Sequence, residues 1–419
     1  MTLLMLAYKS LRSRAVTTSL TVFSIALSVI LLVGVDRVRE GAQSGFSGTL
    51  SQTDLVVGAR GGSLPLLLYA VFHIGTGTND ISFDSYKHFR DHPAVQWTIP
   101  FSLGDSHHGF RVVATDDNFY EHYRFRRDHT IQFAGGGRPS GIFDAAIGSE
   151  VAAQLGYKLG QKIVLSHGLE RISLENHADK PFTVVGVLAR TSTPVDRAIY
   201  ITLYGEEAMH IDWKDGTAPA IGEEIPASKI RKEDLHIDQI SAFLLRTKSR
   251  VSTLLLQREI NTYKGEPLTA IIPAFTLQDL WSVLGYADVA LSLVSAAVLV
   301  VGLLAMLIAL YTVLNERRRE IAILRAIGLR AQQIFALFVL ESALITAVGT
   351  IVGLVTVYVL LWVFHVPIET RFGIPLAMVG LSKRVVLYVF GVVFAGALLG
   401  CIPAMRAYRT GLMDGLNAH

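Results

Sequence analysis

Histidine is the residue type in this sequence with the most chemistry to offer: thirteen occur in 419 residues. His88 and His92 are four apart, in and just after a stretch, 82–91, that reads as a helix capped by Ser82 and closed before Pro93. That spacing puts two imidazoles on one helix face. The H-E-x-x-H pattern is absent, so a zinc peptidase is not supported. His107 and His108 are adjacent, and would point opposite ways on a strand. His167 and His177 flank a polar insertion before Phe182. Two or three of His107, His108, His167 and His177 together would suit zinc or copper; the competing reading is solvated loop histidines. The single cysteine, Cys401, makes neither an intramolecular disulfide nor a thiolate metal site by itself. The glycine-rich run 135–141 lacks the Lys-Ser/Thr that holds phosphate and Mg²⁺. With no nucleophile–base pair evident, the chain is expected to be no enzyme and to hold no cofactor. A net charge of only +3 gives no general field for nucleic acid.

The elements that would carry these side chains divide into two kinds. A hydrophobic content of 51% and a mean hydropathy of +0.42 are high for a soluble protein. Four windows are long and apolar enough to span a bilayer as helices: 16–35, 289–314, 334–364 and 385–405. The first has a basic lead-in, Lys9, Arg12 and Arg14, but its apolar stretch exceeds a signal-peptide core and no A-x-A-like site follows, so it reads as a retained anchor. Basic residues concentrate before the first span, between the second and third (Arg317, Arg318, Arg319, Arg325, Arg330), and after the fourth (Arg406, Arg409). The positive-inside bias makes all three segments cytoplasmic and puts the long insert outside. Lipid is then the solvent of the spans. Gly349/Gly353 and Gly396/Gly400 are small-residue pairs at helical spacing, suited to close helix packing. Glu341 inside the third span should face protein or water.

The insert reads as an α+β domain, built of two lobes around a loop at 212–228 rich in Gly, Pro and charge. Strands are expected at 54–59, 96–100, 110–115, 162–166, 182–188, 198–203 and 240–246, with helices at 149–155 and 251–263. The apolar run 64–74 is too short to span. It is either a buried core element or an exposed patch (Leu64, Leu66, Leu67, Leu68, Tyr69, Phe72) for lipid, a lipophilic substrate or a partner. The second span is preceded by helix-compatible sequence, so its helix is expected to start near Thr276 and rise as a stalk.

The segment between spans two and three, ERRREIAILRAIG, is the most specific feature. Ile321, Leu324 and Ile327 recur at spacing three with charges on the other faces, and Gly328 supplies a stop. Such a short amphipathic helix suits either a groove on another protein or the lipid headgroup layer. The segment resembles the coupling loop of MacB/FtsX/LolC–LolE-type ABC transporter permeases. The basic lead-in and first span, the stretches AIGSEVAAQLGYKLGQKIV and FTVVGVL, and the closing IPAMRAYR are similar to the same family in the same order.

The resemblance implies four transmembrane α-helices with a large α+β extracytoplasmic domain between the first and second. The implied layout is a cytoplasmic N-terminus and first helix (1–37), extracytoplasmic domain (38–281), second helix with stalk (282–314), coupling helix (315–331), third helix (332–364), outer loop (365–384), fourth helix (385–409) and cytoplasmic tail (410–419). It places the chain in a bacterial inner membrane, paired with a second permease subunit. A separate cytoplasmic ATPase binds ATP and Mg²⁺ and grips Glu316, Arg317, Arg318, Glu320, Ile321, Leu324, Arg325, Ile327 and Gly328. The implied work is mechanotransmission on a lipophilic, lipoprotein or peptide-like substrate. The alternatives are regulation of a cell-wall hydrolase or other outer partner, as in the FtsX branch, and a metal-linked transport role for the histidines.

Overall fold

The computed structural model describes residues 3–77, 79–167, 177, 179–213, 225–316, 321, 323, 325, 326, 328–372, 380 and 382–410. The chain forms two compact units. One comprises 1–42, 284–368 and 376–419; the other comprises 43–283 with 369–375.

The first unit is a helical bundle. Its long helices are Ala15–Thr49, Pro273–Glu316, Ala331–Phe372 and Lys383–Thr410, with a short helix Leu3–Ser13 ahead of them. All four long helices contain stretches apolar enough to cross a membrane. Their large exposed side chains, such as Leu20, Phe23, Val301, Ile308, Trp362 and Phe394, are those a lipid solvent accepts without cost. The buried seam includes Ile25, Val29, Met306, Ile345 and Val392. Every long helix runs past its apolar window, because backbone hydrogen bonding continues wherever residues tolerate helical φ/ψ. The third therefore ends at Phe372, beyond the boundary expected at 364, with Pro367 inside it.

The glycine pairs sit where helices come closest. A Cβ added at Gly349 would lie 2.9 Å from Ile25 Cβ, and one at Gly353 would lie 2.7 Å from the Ala26 carbonyl. Gly396 and Gly400 face Thr346 and Ser342 so closely that a methyl group would overlap those side chains. Thr346 and Thr350 bond carbonyls one turn back, at 2.9 and 2.7 Å, which lets hydroxyls be buried in a span.

The second unit is built on two sheets. The four-stranded sheet is antiparallel, in the order Leu268–Ile271, Leu55–Ala59, Ala242–Thr247, Val95–Phe101. The larger mixed sheet runs Lys162–Ile163, Phe182–Leu188, Asp144–Ile147, Ala198–Thr202, Phe110–Thr115, Asp105–His107, Ser166–His167. Phe133–Gly136 pairs with Phe182–Leu188 off that path. The pair Phe110–Thr115 and Ala198–Thr202 is parallel, and both strands are buried along nearly their whole length. The two buried clusters each take side chains from both sheets. The expected linker at 212–228 lies largely outside the described residues.

Capping fixes the short helices. Ser82 Oγ accepts from Ser85 N ahead of Phe83–Arg90, and Ser249 Oγ accepts from Ser252 N ahead of Arg250–Asn261. Ser149–Leu155 ends on Gly156 at φ +72°, a left-handed position that suits glycine.

Candidate functional site

The chain enters and leaves the α/β domain through helices, and the ends of those helices are part of its core. Phe46 packs on Phe72 with ring centres 4.7 Å apart and meets Trp281 edge-on at 5.8 Å. Leu277 packs against the same buried cluster. The carbonyls of Gly48 and Thr49, at the open C-terminus of Ala15–Thr49, accept from Arg126 N and the Tyr123 hydroxyl, each at 2.7 Å. The helix Ser63–Phe72 forms much of this seat. Leu66, Leu67, Tyr69 and Phe72 are buried, and the Tyr69 hydroxyl donates to the Leu103 carbonyl at 2.5 Å. Leu64 and Leu68 are half-buried. Of the two readings of this run, burial agrees with the core element and not with the exposed patch for a lipid or a partner: the segment buries its apolar surface inside the domain, where it gains more by leaving water.

Within the bundle unit, charges link three helices at the residues following the first span. Arg37 is 5% exposed and donates to Glu40 at 2.9 Å and to Ser382 Oγ at 2.7 Å. Asp36 lies 3.7 Å from Arg384, and Arg39 lies 2.8 Å from Asp288. In the sequence Asp36, Arg37, Arg39 and Glu40 stand directly after the apolar window 16–35. The missed signal was a run of charges continuing in helical register after it.

At the other end of the bundle, Glu316 closes the helix Pro273–Glu316. Arg317, Arg318, Glu320, Leu324 and Ile327 lie outside the described residues. Ile321 is 7% exposed and packs with Leu314, Ile334, Phe338, Ala404 and Ala407. It is therefore a bundle residue and not the exposed docking residue expected; an isoleucine beside an apolar seam is worth more inside it. Ile323 is 59% exposed, and Arg325 is partly exposed. Gly328 has φ +102° and donates to the Arg325 carbonyl at 2.9 Å, which gives the stop its left-handed turn. Arg406 spreads over the Tyr311 ring at 5.1 Å and donates to its hydroxyl. Glu341 is 1% exposed and, with Arg14, Thr18, Thr21, Met306 and Leu310, lines a small pocket, so its carboxylate faces protein.

The histidines separate once placed. The helix ends at Arg90, so His88 and His92 do not share a helical face: His88 stacks on Tyr263 and His92 lies 3.6 Å from Glu259. His107 has both ring nitrogens engaged, Nδ1 donating to the Val164 carbonyl at 2.7 Å and Nε2 accepting from Tyr157 at 2.8 Å. Burial lowers its pKa, and Val164 and Tyr157 occupy both ring nitrogens, so it is placed as a structural residue. His108 is exposed in the turn that follows. The His167 side chain lies outside the described residues. His177 is 2% exposed and lies with Asp105 and His210, two residues that sequence reading did not single out, their ligand atoms all within 4.8 Å of one another. Separations of tens of residues in sequence carried no signal for that grouping.

Two further features complete the domain. The glycine run 135–141 is partly strand, with Gly136 at φ +71° pressed against the Val185 carbonyl, so it is a sheet edge. A cleft of about 220 Å³ is lined by Asp116, Asp117, Tyr120, Ser140, Tyr204 and Lys232. Burial pushes the Asp116 carboxyl there up to about 7. Nearby in the domain, burial pushes Glu206 up to about 8, against the opposing effect of a 2.6 Å hydrogen bond from Ser102.

Comparison with known proteins agrees with this layout. A family model described as MacB-like periplasmic core domain matches residues 18–263, and one described as FtsX-like permease C-terminal matches 292–412. The chain is 27% identical over 232 residues to the macrolide export ATP-binding/permease protein MacB of Nitrosomonas europaea, covering 55% of this chain and 32% of that protein. It is 24% identical over 412 residues to the pyoverdine export ATP-binding/permease protein PvdT of Pseudomonas fluorescens, covering 96% of this chain and 57% of that protein. The chain thus spans about a third to just over half of these relatives. Among solved structures, the periplasmic region of MacB from Actinobacillus actinomycetemcomitans aligns over 55% of this chain and 94% of that chain, at TM-score 0.33 and 9% identity. With four apolar helices and a large α/β domain between the first and second, the chain is a multi-pass membrane protein of the MacB/FtsX-type family of ABC transporter permeases.

Proposed function

We propose that this chain is a permease subunit that passes the motion of an ABC ATPase to its α/β domain, so that work is done on the far side of the membrane. The observation that carries the reading is the seating of two span helices in the domain core, through Phe46 and Leu277, with Trp281 edge-on to Phe46. A helix is stiff along its axis, and one whose end is packed in a core moves that core when it tilts or shifts. Ala15–Thr49 and Pro273–Glu316 are each continuous from one unit into the other. The second also ends at Glu316, directly before the segment 317–328, which supports an input and an output on one element.

In this reading the basic segments face the cytoplasm of a bacterial inner membrane, and the α/β domain lies outside. The input is an ATPase gripping the segment 316–328, where the exposed Ile323, and not the buried Ile321, presents apolar surface. Two permease subunits pair, because the ATPases of such machines act as pairs. The cargo class is lipophilic, lipoprotein or peptide-like; the names of the two relatives, for macrolide and pyoverdine export, support a small or peptide-like exported molecule.

The test is reconstitution in vesicles with an ABC ATPase that co-purifies with the chain. The reading expects ATPase activity to rise in the presence of the permease and again with the correct outer-side substrate. An ATPase rate indifferent to the permease would overturn it. Stimulation by an outer cell-wall hydrolase in place of any cargo would convert it to the regulatory role seen in the FtsX branch.

A further inference from the structure

We infer that Asp105, His177 and His210 form a binding site for a divalent metal of the zinc class on the α/β domain. The three residues come from separate parts of the chain. Asp105 begins the strand Asp105–His107, and His210 is the last residue of the helix Leu203–His210. His177 is held by its backbone N–H, which donates to the Leu165 carbonyl at 3.0 Å. Folding thus brings two imidazoles and one carboxylate together, with all three ligand atoms within 4.8 Å of one another and His210 Nε2 3.9 Å from Asp105 Oδ2.

The donor set selects the metal. Two neutral imidazoles and one carboxylate suit Zn²⁺ and its neighbours Co²⁺, Ni²⁺ and Cu²⁺, whereas Ca²⁺ and Mg²⁺ require mostly oxygen. Zinc holds such ligands at about 2.0–2.2 Å, which in a tetrahedron puts them about 3.4 Å apart. The 3.9 Å pair is close to that spacing, and a shift of under about 1.5 Å brings the widest separation, within 4.8 Å, to it. Three protein ligands leave a fourth position for water or for an outer-side ligand.

The surroundings favour the site. Asp105 is 3% and His177 2% exposed, so the metal would be bound by ligands already withdrawn from water. Trp213 packs against both imidazoles, with ring centres 5.2 Å from His177 and 5.6 Å from His210, and limits their rotation. The nearby Lys180 ammonium is neutralised by Asp212 at 2.5 Å and Asp179 at 3.2 Å, so it does not oppose a second cation. A metal here would tie a strand, a helix end and the chain at His177 into one cross-link. This inference stands on the α/β domain alone and is independent of the coupling role proposed above.

The experiment uses the full chain purified in detergent, stripped with chelator and dialysed. Titration with Zn²⁺ against a chromophoric chelator should show one tight site per chain, and elemental analysis after gel filtration should return one zinc. Co²⁺ in its place should give the visible absorption of a tetrahedral nitrogen/oxygen site. His210→Ala and Asp105→Asn should each lower zinc affinity on the order of 100-fold. His108→Ala, in an exposed turn, should leave it unchanged. Stoichiometric zinc uptake lost in the first two variants and kept in the third supports the site. Wild-type protein that takes up no zinc and shows no cobalt spectrum overturns it, as does uptake that survives His210→Ala. The wild-type cobalt spectrum decides the matter even where a variant fails to fold.

Discussion

Single residues in the bundle act mainly by their size. Gly396 and Gly400 let two helices approach until a methyl group would overlap Thr346 and Ser342, while a Cβ at Gly391 meets nothing within 4 Å. Gly396→Leu should therefore cost at least about 1–3 kcal/mol through overpacking. Gly391→Leu should cost little. Thermal unfolding of the purified chain in detergent separates the two; equal losses would show that the close contact does not matter. In the α/β domain a single carboxyl sets part of the pH response. Burial of its carboxyl pushes Glu206 up to about 8 from its ordinary 4.5, because withdrawal from water disfavours the charged form. Its folded-state pKa is raised, so its contribution to stability is full below about 4.5 and is lost as pH rises through about 8. Glu206→Gln should flatten that loss. Denaturant midpoints of both proteins at pH 5, 7 and 9, with chelator present, check the sign; a wild type that gains stability over that range more than Glu206→Gln would contradict it.

Elements matter here through what their ends are fixed to. The charges at 36–40 join three helices, but they are unequal: Arg37 is buried and bonded twice, whereas the Arg384 side chain is 66% exposed. Removing Arg37 should cost about 1.5–3 kcal/mol, the range for hydrogen bonds to charged groups. Arg384→Ala should cost less than about 1 kcal/mol, since a solvated pair contributes little. Unfolding in mixed detergent measures both. The segment after Glu316 makes a second contrast. Ile323→Asp places a charge on an exposed face and should abolish stimulation of the ATPase while leaving the fold intact. Ile321→Asp buries a charge in the seam and should lower stability instead. The opposite pattern, with Ile321→Asp stable but uncoupled, would put the docking face on the other side of that helix.

These elements also show what the sequence made legible. Spans, caps and most strands were readable, because they follow from local periodicity and side-chain hydrogen bonding: Phe110–Thr115, Ser149–Leu155 and Phe182–Leu188 lie where the pattern puts them. The run 64–74 was legible as apolar but not as the seat of a helix end, since Phe46 meets Phe72 only through the tertiary fold. Three-residue spacing placed Ile321 on an apolar face without saying what covers that face. The grouping of Asp105, His177 and His210 is wholly long-range, and only one of its members stood out as a histidine beside an insertion.

At the scale of the whole molecule, two units are joined by helices that belong to both. Such a connection transmits force only while the seat of the helix ends remains packed. Phe46→Ala would remove an aromatic contact to Phe72 and Trp281, and loosening that seat should slow substrate-stimulated turnover more than basal ATP hydrolysis. A matched fall in both rates would point to general destabilisation.

The central claim, that ATP-driven motion reaches the α/β domain through this chain, is tested most directly by a distance. Spin labels at Leu255→Cys, exposed on the α/β domain, and Gly380→Cys, exposed in the bundle unit, would be introduced with Cys401→Ser removing the native thiol. Pulsed electron resonance on the complex with its ATPase, before and after trapping with ATP and vanadate, reads the separation. The account predicts a distribution that shifts on trapping and returns on release; an unchanged distribution in a complex that hydrolyses ATP would contradict it.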